Sequence, residues 1–127
     1  MTDQEKLALA RRFLSVLASP DPDVVKSVAV EDVVWSFPGA GRISGEARGV
    51  DGVMARAKII ASFKVNIDVV RTLYSLGGVA IILHNTANRE GHVLDEHIAA
   101  VFSFRGERVC RLDTYLSDVP MAEAFFV

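Results

Sequence analysis

Apolar positions follow two rules along the chain, at helical spacing up to about residue 60 and in alternation beyond it. Thr2-Asp3-Gln4-Glu5 has the form of a capping box, in which Thr and Glu satisfy each other's free N–H groups. Behind it Leu7, Ala10, Leu14 and Leu17 form one stripe with Phe13 beside it, which predicts a helix. That helix should end near Ser19-Pro20, because proline cannot continue it. Asp21-Pro22 reads as an N-cap followed by proline at the first helical position, opening a short helix with Val24, Val25 and Val28 inward. Val33 to Phe37 is β-branched and aromatic and stops at Pro38-Gly39, so a short strand is expected there. The Gly-rich stretch Gly39 to Gly49 reads as a loop into a third helix, about Val50 to Ile60, with Val53, Ala57 and Ile60 on one face.

From Lys64 the period becomes two. Lys64 to Val69 alternates, Gly77-Gly78 marks a tight turn, and Val79 to Arg89 forms a second long strand. Glu90-Gly91 turns the chain into His92–Phe104, and Arg105-Gly106-Glu107 turns it again into Arg108–Ser117. Turns this short impose antiparallel neighbours. The apolar tail, Val119 to Val127, should dock back on the body. Helices followed by one large sheet define an α+β class, a curved, mostly antiparallel sheet wrapped around about three N-terminal helices. Such a cone closes around an apolar interior, and the whole chain, residues 1 to 127, reads as one domain.

Composition narrows the possible partners. Half of the 127 residues are apolar, which excludes a disordered chain. Fourteen basic and 16 acidic residues give a net charge of -2 without any block of one sign, against a nucleic-acid footprint or a polybasic membrane patch. The longest apolar runs are five residues, too short to span a bilayer. The first residues lack the basic and apolar regions of a signal peptide, and Cys110 is the single cysteine. A cytoplasmic protein is the expectation.

Several motifs fail on context. Gly39 to Gly45 suggests a dinucleotide loop, but such a loop opens directly into a helix and leads to a parallel strand. His84, His92 and His97 have no ligand spacing, and His92 and His97 point to opposite faces of one strand. No serine occupies a nucleophile elbow. Neither a metal nor a cofactor is expected.

Strand parity offers more. Cys110, Leu112, Thr114 and Leu116 share one face of the last strand. In the preceding strand Leu94, Ile98, Ala100, Phe102 and Phe104 share a face with Glu96, and Ile81, Leu83 and Ala87 share one with Asn85. Parity therefore puts Glu96, Asn85 and Thr114 inside, with Trp35 and Phe37 as an aromatic wall. A carboxylate in an apolar cone has its pKa raised, the condition for a general acid or base near neutrality. The competing reading leaves Glu96 solvated at the open end, or paired with Arg42 or Arg48.

The order of elements resembles the nuclear transport factor 2-like (NTF2-like) superfamily, in its SnoaL-like and ketosteroid-isomerase-like branch. The resemblance spans nearly the whole chain. It rests on Arg12-Phe13-Leu14, Asp32 to Pro38, Gly45 to Val53 and the closing pattern Val101 to Val109 with Tyr115 and Asp118. It implies a cystatin-like α+β barrel with an internal pocket, and a homodimer formed by the outer sheet face, here including His84, Thr86, Arg111, Asp113 and Tyr115. The catalytic groups of ketosteroid isomerases are not matched: their positions fall on Phe13, Phe37 and Ala100. Those of limonene-epoxide hydrolases fall on Asn85, Ala87 and Thr114. A late aspartate of SnoaL-type cyclases has Asp113 and Asp118 as its nearest counterparts.

Two functions follow as expectations. One is a SnoaL-like isomerase, cyclase or hydratase acting by proton transfer on a small hydrophobic, cyclic molecule. Glu96 would be its acid/base, with Phe13, Trp35, Phe37, Leu83, Asn85, Ala100, Leu112, Thr114 and Leu116 around the ligand. The other is a non-catalytic dimer that holds a small apolar molecule.

Overall fold

The computed structural model describes residues 1–127. Helix α1 (Asp3–Leu14) begins with the expected capping box, in which Thr2 Oγ1 accepts from the Glu5 amide and Glu5 from the Thr2 amide, both at 3.1 Å. A single 3₁₀ turn (Ser15–Leu17) ends it. The face α1 turns inward carries Lys6, Ala10 and Phe13, continued by Val16, a rotation of about one residue from the Leu7–Leu14–Leu17 stripe. Lys6 turns in beside the β3–β4 turn, which holds the Ser75 carbonyl. The Lys6 ammonium donates to that carbonyl at 2.6 Å while also contacting Asp3.

Helix α2 (Pro22–Val28) is capped by Asp21 and buries Val25 and Val28, leaving Val24 half-buried. The first strand, β1 (Ala29–Phe37), is longer than Val33–Phe37. Gly45–Arg48, expected as loop, pairs antiparallel with it as β2. Four residues with one buried side chain, Ala47, give too little alternation to reveal a strand. Helix α3 (Gly49–Ser62) follows, burying Val53, Ala57 and Ile60 as expected, together with Met54 and Arg56.

The meander is as predicted: β3 (Asn66–Tyr74), β4 (Gly78–Arg89), β5 (His92–Arg105) and β6 (Arg108–Leu116) are antiparallel neighbours. Glu90 and Gly91 both have positive φ, 52° and 84°, the turn geometry whose twist matches a two-residue hairpin. At Gly78 a side chain would meet the Phe102 carbonyl oxygen at 2.4 Å, so the β4–β5 pair can close only around glycine. β1 then lies parallel to β6, giving the order β2-β1-β6-β5-β4-β3. The sheet curves without closing into a barrel.

One local irregularity corrects the parity of β6. Arg111 pairs with Ser103 and Val109 with Phe104, so Cys110 is an unpaired bulge residue. Val109 is fully buried in its place, and Cys110 is half-buried. A fourth helix, α4 (Val119–Phe125), makes the apolar tail dock as expected and buries Ala122, Phe125 and Phe126. The core runs between the concave face and the helices. At its centre Phe13 meets Trp35 and Phe102 edge-on, at 6.5 and 5.7 Å.

Candidate functional site

The strand register places the polar groups of the interior together. Asn85 on β4 lies directly opposite Glu96 on β5, and Thr114 on β6 lies opposite Ala100. All three line an internal cavity with Trp35 and Phe37 of β1, Leu83 of β4 and Leu112 of β6. Leu17, Ile43, Ile60, Val65, Ile67, Leu94, Ile98 and Phe126 complete the wall. Phe13 and Ala100 are buried but outside this lining, and Leu116, opposite Ile98, is also outside it. Among the wall residues that periodicity had not assigned to the site, Phe126 had a visible signal, the apolar tail. Leu17 lay on the apolar stripe of the first helix, whereas Ile43 was brought in by the turn that carries it.

Glu96 is 2% exposed, and neither of its carboxyl oxygens has a hydrogen-bond partner. The partners that sequence allowed are engaged elsewhere: Arg42 donates to the Val127 carbonyl at 3.2 Å, and Arg48 pairs with Glu46. Burial therefore pushes the Glu96 pKa up from 4.5 to about 7, and the charge of Asp118 adds to the rise. Asp118 itself caps α4, accepting from the Met121 amide at 3.0 Å. The Oδ1 atom of Asn85, a residue 7% exposed, is likewise without a partner.

Two other polar side chains near the site are engaged, those of Trp35 and Arg56. Trp35 Nε1 donates to Thr114 Oγ1 at 2.8 Å, fixing the indole against β6. Behind the aromatic wall, buried Arg56 donates to the carbonyls of Trp35 (2.7 Å) and Gly45 (2.9 Å). Its guanidinium lies over the Trp35 and Phe37 rings, at 5.0 and 5.8 Å. Arg56 thus ties β2 to β1. Desolvation lowers its pKa to about 10, so it stays a cation at neutral pH.

The interior is much less hollow than a ready-made ligand site. It leaves about 40 Å³ for water-sized molecules, whereas drug-sized ligands need roughly 300–1,000 Å³. By the same measure one water needs about 10–15 Å³. The surplus of apolar side chains fills the cone. Phe126 forms part of the stopper and packs edge-on against Phe63 and Phe125. Arg89 holds that end of the chain by donating to the Phe125 carbonyl at 3.0 Å. The largest concavity, about 760 Å³ between α2, α3 and Arg108, is open, and all of its charged side chains are exposed.

No group of His, Cys, Asp and Glu side chains could hold a metal ion. No helix is long and apolar enough to cross a membrane.

A curved six-stranded sheet packed on helices around a largely apolar interior defines the NTF2-like fold, and the chain has that fold. No family model matches it. It is 29% identical over 130 residues, 99% of each chain, to an uncharacterised protein of Mycobacterium tuberculosis. Among solved structures, Bal32a from a soil-derived mobile gene cassette superposes with a TM-score of 0.86, at 24% identity over 98% of each chain. An NTF2-like protein of Burkholderia xenovorans does so at 0.80, with 19% identity over 98% of each chain. TerC, co-crystallised with polyporic acid, gives 0.79 with 12% identity, over 97% of this chain and 99% of its own.

Proposed function

We propose that the chain binds a small hydrophobic, cyclic molecule in the cone and transfers a proton to or from it through Glu96. The observation that carries this reading is the single buried carboxyl group, unpartnered in an apolar cavity and poised to exchange its proton near neutrality. Asn85 and Thr114 would orient the substrate, and Trp35 and Phe37 would pack on it. TerC, of similar fold, was co-crystallised with polyporic acid, which supports a small-molecule ligand. The outer sheet face, with Tyr115, Val93 and Leu73 exposed, is the surface we assign to a homodimer.

The test is exchange chemistry. Small cyclic ketones and cyclic α-hydroxyketones are incubated with the protein in deuterated water, and deuterium entering the ring carbons is followed by NMR. Protein-dependent exchange that rises as pH passes about 7 and disappears in Glu96→Gln is the expected result. Exchange unaffected by that substitution would overturn the role of Glu96. A second reading, a non-catalytic binder, is favoured by Phe13, Phe37 and Ala100, which stand where the isomerase-like resemblance implies polar catalysts. An apolar passenger in native mass spectra together with absent exchange would select it.

A further inference from the structure

Glu96 lies beneath a short cover. The β5–β6 register, continued past Ile98 and Leu116, brings Asp118 opposite Glu96. Asp118 begins α4, which packs on β5 through a bond from the Asp95 amide to Met121 Sδ at 3.3 Å. Phe126 follows α4, outside any helix or strand, and forms part of the cavity wall. Arg89 holds the carbonyl of the fully buried Phe125 at 3.0 Å, which makes Phe125 a pivot. Beyond it the Phe126 amide donates to the Ala122 carbonyl at 3.0 Å, and Arg42 donates to Val127 at 3.2 Å. The Phe126 ring meets Phe63 and Phe125 edge-on, each at 5.2 Å. Asn85, Leu94 and Ile98, on the strands beside Glu96, are instead fixed by the β-ladder.

The charge on Glu96 decides what this cover must enclose. A protonated carboxyl is neutral and tolerates apolar surroundings. An ionised one is an enclosed charge, and neither the Asn85 amide nor the Thr114 hydroxyl bonds to its oxygens. Turning the Asn85 amide toward Glu96 would add one neutral donor group in place of a hydration shell. Glu96 is the only titratable residue in the wall, and the charge that acts on it, Asp118, has the same sign. Arg42 and Arg89, the cations that hold this segment, are bound to the carbonyls of Val127 and Phe125. A buried charge without donors is relieved by water. Moving Phe126 aside admits water to Glu96 and leaves Phe125 in the core.

We propose that Phe126 and Val127 form a gate over Glu96, closed while the carboxyl holds its proton and swung outward about Phe125 when that proton passes to solvent. The gate is a property of the protein alone and goes beyond the proton-transfer reading. It also bears on that reading, because the carboxylate that opens the cavity is the form able to take a proton from an entering ring. Opening and ionisation are linked reciprocally. Opening that returns Glu96 from about 7 to its ordinary 4.5 multiplies the open-to-closed ratio roughly twentyfold between pH 5.5 and 7.5.

Hydrogen exchange of the Phe126 amide, corrected for its intrinsic rate at each pH, measures the opening, because release breaks its bond to Ala122. In the wild type this amide should exchange faster than the β5 amides and independently of low urea, which marks local release and not global unfolding. Its protection should fall roughly twentyfold from pH 5.5 to 7.5, and in Glu96→Gln it should not change with pH. Phe126→Ala removes the cover and should lower the Glu96 midpoint, read by carboxyl NMR, by about one pH unit or more. Wild-type protection that is independent of pH, or equal to that of the β5 amides, would overturn the gate, and needs no variant to fold. The same fall in Glu96→Gln, or an unmoved midpoint in Phe126→Ala, would also overturn it. No substrate enters these measurements, so the gate and the proton-transfer reading can each fail alone.

Discussion

Replacing Glu96 by Gln should change how stability depends on pH. The side chain is enclosed by apolar groups, and burial holds its folded-state pKa at about 7 against 4.5 when free. Below pH 4.5 the folded and unfolded chains both carry the proton, and the group contributes its full share of stability. As pH rises the unfolded chain ionises first, so it binds fewer protons than the folded one and stability falls. The loss grows between 4.5 and about 7 and is complete above the folded value. At about 1.4 kcal/mol for each tenfold change in proton affinity, it amounts to roughly 3 kcal/mol. Gln has nearly the same volume and no charge, and the other titrating groups are common to both proteins. The difference between them therefore isolates Glu96.

Urea denaturation of the wild type and Glu96→Gln at pH 4, 5.5, 7 and 8.5 measures this. The stability difference should move in favour of Gln by roughly 3 kcal/mol across the series, most of it between pH 4.5 and 7. A difference that stays constant within about 0.5 kcal/mol would show that Glu96 ionises as freely folded as unfolded. That result would remove the basis for its acid/base role. A shift in the opposite direction would mean that an unseen cation stabilises the carboxylate.

Three further outcomes are expected. Asp118→Asn keeps an N-cap residue on α4 but removes the charge that adds to the rise at Glu96, so the Glu96 midpoint, read by carboxyl NMR, should fall and still exceed 4.5. An unchanged midpoint would assign the whole shift to desolvation. Arg56→Met removes the two hydrogen bonds that tie β2 to β1 and should cost about 3 kcal/mol, with faster amide exchange at Ala47. Slow exchange retained there would refute the tie. Tyr115→Glu places a charge at the centre of the exposed outer face and should convert a dimer to a monomer by light scattering at micromolar concentration. A wild-type monomer under those conditions would refute the dimer.

What could be read in the chain followed from how local each signal is. Pleating alternates side chains strictly, so the positions of Glu96 and Asn85 within β5 and β4 already assigned them to the inner face, and the hairpin register made them neighbours. Cys110 escaped the same rule because a bulge is an event between two strands, invisible from either one. The inward stripe of α1 held for Ala10 and Phe13, but the burial of Lys6 was missed because its partner, the Ser75 carbonyl, lies 69 residues away along the chain. Cavity volume is less local still. The same apolar surplus could line a void or fill it, and tail side chains such as Phe126 decide the matter by filling it. This separates two properties that the resemblance joins. The fold supplies an enclosed, dry place for one carboxyl group, and that enclosure alone accounts for its raised pKa. On the proposed reading, room for a ligand is a separate matter, which depends on the contacts that Phe63, Arg89 and Arg42 make with the last three residues. A weaker hold at this end would ease entry and also hydrate Glu96, lowering its pKa. On that reading, access and acid strength are coupled through the same few contacts.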